Sequence, residues 1–254
     1  MNEWSLITGA SSGIGRELAN CFAADGINVV LVARNNERLN QVAAALRAEY
    51  QIETRILVKD LSIAGTPSEI AHELSDIKIG AVVNNAGFGW KGAFVESDMQ
   101  HCLQMMHVNM DALVQLTHQF LPAMIERHSG HIMNVSSTAA FQPGPTAAIY
   151  FGAKAFVYSF SCALDEELRG SGVTVTTLCP GSTNTEFHNR ANMHRAMNHT
   201  PRMEARTVAE AGYRGMMNGK RVVIPGLLNK ITSAVAKRLP EKLTSSIVRR
   251  RYKT

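Results

Sequence analysis

The chain has 254 residues, 45% of them apolar and 19% charged, with a formal net charge of +5. That length and apolar content fit one α/β domain with one good core and argue against a disordered chain. The four cysteines (Cys21, Cys102, Cys162, Cys179) lie far apart without a C-x-x-C pair, and no apolar run reaches transmembrane length. Neither a disulfide framework nor a thiolate metal site is expected. The charge is uneven. From Lys230 to Thr254, eight Lys/Arg face the single Glu241, which leaves eighteen basic against twenty acidic residues elsewhere. The basic character therefore belongs to the tail. Met1-Asn2-Glu3-Trp4 shows no secretory leader pattern, so a reducing cytoplasm is the expected compartment.

Trp4 to Thr8 reads as a short apolar strand that breaks into Gly9-Ala10-Ser11-Ser12-Gly13-Ile14-Gly15, followed by helical spacing from Arg16 to Asp25. Glycines let a backbone turn tightly and approach a pyrophosphate, and the following helix start offers free N–H groups to the anion. Gly9, Ser11, Ser12, Gly13, Ile14 and Gly15 are thus expected to contact a dinucleotide; a plain turn between packed elements is the alternative. The second strand, Ile27 to Ala33, ends at the position that reads the adenosine ribose. Arg34 offers there a guanidinium fork suited to the 2′-phosphate of NADPH, or else is an exposed arginine at a helix start.

A helix from Glu37 to Tyr50 and a strand from Thr54 to Lys59 lead to Asp60-Leu61. Asp60 either meets the adenine edge or caps the turn before a helix around Pro67 to Leu74. The fourth strand, from Gly80, ends in Asn84-Asn85-Ala86-Gly87, where small residues allow close approach of a ligand or a neighbouring helix. After an apolar loop from Phe88 to Phe94, one long helix is predicted from Ser97 to Glu126. Asn109 lies within it, as a buried brace or a participant in chemistry.

His131 to Ser136 reads as a buried strand that delivers Ser137 at its carboxyl end. Thirteen residues on, Tyr150 and Lys154 are four apart on a helix and share one face. The ammonium favours the phenolate, which fits the tyrosine for proton transfer, and Ser137 is suited to hold the reacting oxygen. Val173 to Leu178 then runs into Cys179-Pro180-Gly181. Strands alternating with helices predict a doubly wound α/β fold, a parallel sheet of about seven strands with helices on both faces. Thr8, Asp60, Asn84, Ser137 and Pro180 all fall on its carboxyl rim.

Residues 182–206 are irregular, with Phe187, Met193, Met197 and Met203 beside His188, His194 and His199, and read as a substrate lid. Thr207-Val208-Ala209-Glu210 has the form of a capping box, and Arg221 to Ile224 a last short strand. Residues 226–254 form a basic extension of two amphipathic helices split by Pro240. Its apolar residues, among them Leu228, Ile231, Val235 and Leu239, are expected to dock on the domain or a partner subunit. Weak contact with anionic lipid, an acidic carrier or a CoA-linked substrate is the alternative. Nucleic-acid binding has little support.

Taken together, Thr8-Gly9-x-x-x-Gly13-x-Gly15, Asn84-Asn85-Ala86-Gly87, Asn109, Ser137, Tyr150-x-x-x-Lys154 and Pro180-Gly181 with Thr183 resemble the short-chain dehydrogenase/reductase family through about residue 225. The resemblance implies a catalytic tetrad of Asn109, Ser137, Tyr150 and Lys154. It adds Leu61, Asn85, Ala86, Gly87, Pro180, Gly181 and Thr183, with Asp60, to the cofactor contacts, Tyr150 and Lys154 also facing the cofactor. Ala33-Arg34 looks like the NADP-preferring pattern; Ser12 stands where some such members carry a basic residue, so cofactor choice rests on Arg34. The nearest likeness is to bacterial 3-ketoacyl and hydroxysteroid reductases. This implies hydride transfer between NADPH and a moderately large apolar carbonyl or alcohol, in a homodimer or homotetramer. A non-catalytic NADP-binding or redox-sensing protein and a sugar-nucleotide epimerase are the competing readings.

Overall fold

The computed structural model describes residues 3–187 and 202–252. In chain order the elements are β1 (Glu3–Thr8), α1 (Gly13–Ala24), β2 (Asn28–Ala33), α2 (Asn36–Tyr50), β3 (Thr54–Val58), α3 (Thr66–Glu73) and β4 (Lys78–Asn84). They continue with α4 (Met99–Met106), α5 (Ala112–Glu126), β5 (Gly130–Val135), α6 (Ala148–Glu167) and β6 (Val173–Leu178). The remainder are β7 (Thr183–Asn184), β8 (Met203–Glu204), α7 (Ala205–Met217), β9 (Val222–Val223), α8 (Leu227–Ala236) and α9 (Glu241–Tyr252).

Seven strands form one parallel sheet in the order β3-β2-β1-β4-β5-β6-β9, and β7 pairs with β8 in a separate two-stranded ribbon. This is the doubly wound fold that the strand-helix alternation predicts. Alternate strand residues face opposite sides, and both sides are apolar because helices cover both. Ile7, Val29, Leu31 and Val83 enter one core with Leu18 and Phe22 of α1, Leu39 of α2 and Val208 of α7. Leu6, Val30, Val32 and Val82 enter the other with Ile70 of α3, Leu116 of α5 and Leu164 of α6. The strand order reverses at β1, which pairs with β2 on one side and β4 on the other. Such a reversal opens a crevice at the carboxyl ends of the strands.

Three local expectations change. The long helix is not uniform: a π-helical turn, His107–Asp111, lies between α4 and α5 and contains Asn109. The helix expected to open at a Thr207 capping box instead has Glu204 as N-cap, placing Thr207 inside α7. Third, Leu228, Ile231 and Val235 of α8 are exposed and do not dock on the body, whereas Val248 of α9 is buried as expected. Of the lid, residues 188–201 with His188, Met193, His194, Met197 and His199 lie outside the described residues.

Candidate active site

The crevice between β1 and β4 is tied by one hydroxyl. Thr8 Oγ1 donates to the Val83 carbonyl at 3.2 Å and accepts from the N–H groups of Asn85 and Ala86, each at 3.0 Å. Asn85 Nδ2 returns the link, donating to the carbonyls of Thr8 at 2.8 Å and Gly9 at 3.3 Å. A Cβ on Gly9 would lie 2.7 Å from that Nδ2, and one on Gly15 would collide with it outright. The glycines are therefore required by the asparagine clamp as well as by any ligand.

Beyond the clamp, α1 opens with Ser12 as N-cap, whose side chain makes no capping bond, so the first N–H groups of the helix are not closed off by it. Together with the glycine cradle this fits a dinucleotide pyrophosphate. Ser11 and Ser12 border the turn, while Ile14 packs partly against the core. Arg34 is exposed at the end of β2, with Nη1 3.6 Å from Asp60 Oδ2. Asp60 itself accepts from the Ser62 N–H at 2.9 Å and hydroxyl at 2.8 Å, so it braces the turn before α3. Although its partial burial opposes ionisation, the Ser62 bonds and Arg34 hold its carboxyl below the usual range. The side chain of Leu61 is buried in the core, which leaves only its backbone available to a ligand.

Tyr150 and Lys154 lie on α6, and both are buried. Lys154 Nζ donates to the Val135 carbonyl at 2.9 Å and sits 5.8 Å from the Tyr150 ring centroid. Burial lowers the Lys154 pKa to about 8. The backbone of the same residue is held as well: Ser136 Oγ donates to the Lys154 carbonyl at 2.7 Å. Ser136 and Lys154 thus fasten α6 to the end of β5 from two sides. Ser137 follows in extended backbone, and its Oγ accepts from the Ala139 N–H at 3.1 Å while donating at 3.4 Å to the Pro180 carbonyl.

Asn109 closes the other side. Its Oδ1 accepts from the Phe88 N–H at 3.1 Å and its Nδ2 donates to the Phe88 carbonyl at 2.9 Å. A Cβ on Gly87 would be 2.8 Å from that Oδ1 and 3.5 Å from Lys154 Nζ, so Gly87, Asn109 and Lys154 converge on one spot. Single π turns inside α-helices recur at functional sites. Here the turn carries the residue that positions the loop following Gly87.

Thr183 Oγ1 donates to the Gly181 carbonyl at 3.0 Å, and Thr183 opens β7, whose partner strand β8 begins at Met203. The Phe187 ring lies 5.5 Å from that of Tyr150. A small apolar pocket lined by Trp90, Phe94, Met105, Ala147 and Ile149 adjoins the cluster that contains Tyr150 and Phe151. Among the described residues, no group of three or more His, Cys, Asp or Glu is placed to hold a metal ion.

Two contributors were not singled out from sequence. Ser136 looked like one more strand residue, although its alternation with Ser137 points the two hydroxyls to opposite faces. Beneath the site, Asn84 Nδ2 donates to Asn134 Oδ1 at 2.9 Å, and Asn134 Nδ2 donates to Ser161 Oγ at 2.9 Å. This buried line joins β4, β5 and α6. Asparagines at the matching ends of two adjacent apolar strands were its only sequence signal.

The family model for short chain dehydrogenases matches residues 3–196. The chain belongs to the short-chain dehydrogenase family. Among curated relatives, the very-long-chain 3-oxoacyl-CoA reductase of Mus musculus is 34% identical over 184 residues, 71% of this chain and 59% of that protein. This chain therefore matches about three fifths of the length of that short-chain dehydrogenase relative. Two solved structures are alike over nearly their whole lengths. The short-chain dehydrogenase from Sphingobium yanoikuyae in complex with NADPH is 31% identical with a TM-score of 0.83, covering 94% of this chain and 96% of that one. The bulky-bulky ketone specific alcohol dehydrogenase from Comamonas testosteroni is 30% identical with a TM-score of 0.80, covering 95% and 96%.

Proposed function

We propose that this short-chain dehydrogenase reduces a ketone within a moderately large apolar substrate, such as a 3-oxoacyl thioester or a steroid-like compound, with NADPH as the preferred reductant. The observation that carries the reading is the placement of Tyr150 and Lys154 on one buried helix face beside an apolar pocket. When bound, the reduced nicotinamide supplies the hydride. The protein's residues do the rest.

Tyr150 gives its phenolic proton to the carbonyl oxygen as the carbon is reduced, which leaves a secondary alcohol and a phenolate. Ser137 is preset for the same oxygen. Its Oγ accepts from the Ala139 N–H, and its proton makes only a long 3.4 Å bond to Pro180, which a substrate oxygen readily replaces. Lys154 spends one of three N–H donors on Val135 and keeps the others for the phenolate's field and a ribose hydroxyl of the cofactor. Since the Asn109 side chain is committed to Phe88, any relay of protons at that position runs from its backbone carbonyl. The glycine turn and the start of α1 would hold the pyrophosphate, and Arg34 the 2′-phosphate.

Relatives named for 3-oxoacyl-CoA and for bulky ketones support the substrate class. The test is NADPH oxidation against 3-oxoacyl thioesters, ketosteroids, aldehydes and diketones, with Tyr150→Phe beside the wild type. Turnover should fall by about 10²–10⁴ in the variant, with NADPH binding kept. Equal turnover in Tyr150→Phe would overturn the assignment.

A further inference from the structure

The helix α8 is inside out. Leu228, Ile231 and Val235, spaced to share one face, are 61%, 53% and 48% exposed, and Leu227 beside them is 74% exposed. The face turned to the body carries Asn229 and Ser233 instead. Ser233 is 3% exposed and its hydroxyl has no hydrogen-bond partner among the described residues, while Asn229 Nδ2 donates to the Pro225 carbonyl at 2.8 Å. On α9, Leu243 and Ile247 are likewise exposed next to the buried Thr244 and Val248. A surface helix normally buries its apolar stripe against its own domain. One that turns it outward, and is followed in the chain by a second helix with exposed apolar residues, has its apolar surroundings elsewhere.

The charge around the stripe identifies those surroundings. Lys230, Arg238, Lys242, Arg249 and Arg250 are exposed, and none forms an ion pair among the described residues. Glu241 is the one carboxylate in residues 230–254. Two copies of so basic a surface repel one another, whereas an anionic lipid surface neutralises the cations and receives the leucines. No helix among the described residues is long and apolar enough to cross a membrane, so the contact is with a surface.

We infer that α8 and α9 form a docking face for the surface of an anionic phospholipid bilayer. The face adjoins the active site. Asn229, on the inner side of α8, is so close to Gly181 that a Cβ there would collide with it. Val248 of α9 belongs to the same apolar cluster as Tyr150. A docked molecule therefore holds its carboxyl rim about one helix diameter, ~10 Å, from the lipid. Substrates dissolved in the bilayer reach the pocket over that short distance.

The test is co-sedimentation of the full chain with vesicles of phosphatidylcholine alone and of an equimolar mixture with phosphatidylglycerol. The wild type should sediment with the mixed vesicles and be released by molar salt. Leu228→Glu with Ile231→Glu should weaken that binding at least tenfold, and Lys230→Glu with Arg238→Glu likewise. All four positions are exposed, so thermal unfolding and NADPH binding should be unchanged and serve as the control for folding. Absence of binding, equal binding to both vesicle types, or binding unaffected by the leucine and isoleucine changes overturns the inference. A wild-type oligomer that dissociates in Leu228→Glu with Ile231→Glu also overturns it, by assigning the face to a second copy of the chain.

Discussion

Arg38 and Glu186, 148 positions apart, form a two-bond ion pair, Nη1 reaching Oε1 at 2.9 Å and Oε2 at 2.7 Å. Arg38 lies in the first turn of α2, four residues after Arg34, and Glu186 follows Thr185, whose Cγ2 would be 3.0 Å from a Cβ on Gly13. The pair thus joins the start of α2 to the residues that follow β7, beside the glycine turn.

The proposed NADPH preference can be tested at these two arginines. Arg34→Ala should lower kcat/KM for NADPH by ~10- to 100-fold, the loss of a charge-assisted contact, and leave that for NADH within about threefold. Glu186→Gln removes the carboxylate that competes for Arg38. It should lower the KM for NADPH a few-fold and, because the pair is exposed, leave the unfolding transition essentially unchanged. Steady-state kinetics with both cofactors at fixed ketone decide the matter; an unchanged NADPH to NADH ratio in Arg34→Ala rules out the phosphate assignment.

The depressed pKa of Lys154 has a consequence for the cofactor-free protein. Its folded value is about 8 against an ordinary 10.5, so between those values the unfolded chain binds more protons than the folded one. Stability from this group therefore rises with pH from about 8 to 10.5 and is absent below 8. Urea unfolding of wild type and Lys154→Met, compared across that window, should show the wild type gaining on the variant as pH rises. Parallel curves would mean that Lys154 is solvated.

Asn109→Ala should be costly without touching substrate. It leaves the Phe88 N–H and carbonyl without their partners, at ~1–3 kcal/mol for each of these partly buried groups. Chemical denaturation should show a loss of ~2–4 kcal/mol, and turnover should fall as the Gly87–Phe88 loop loosens. Wild-type stability in the variant would show that water replaces both bonds.

Separating Ser136 from Ser137 tests the two hydroxyls. Ser137→Ala should reduce kcat while sparing thermal stability. Ser136→Ala should do the reverse, lowering the melting temperature, because it frees the buried Lys154 carbonyl.

What could be read from the chain was what short range dictates. The glycine turn, the Tyr150-Lys154 spacing and the alternation of strands with helices are local patterns whose physics needs no knowledge of distant residues. The π turn was hidden because Val108, Asn109 and Met110 have ordinary helical spacing, and the Phe88 groups that Asn109 meets there are 21 positions away in sequence. Arg38 and Glu186 each look like a solvated charge until the fold brings them together. The tail shows the limit most plainly. Periodicity reveals that α8 has an apolar face but says nothing of which side meets the body, and small Ser233 took the inner position that Ile231 was expected to fill.

The π turn also fixes a phase. It holds one residue more than the surrounding α-helical ladder would, between α4 on the pocket side and α5 over the sheet. Winding residues 107–111 as ordinary α-helix, with none removed, would rotate everything downstream by about 100°. Leu113, Leu116 and Thr117 would then swing away from β4, and Asn84 would lose its 3.0 Å bond to Thr117. The irregularity acts as a gearing that lets one unbroken helix mesh with two surfaces set at different angles.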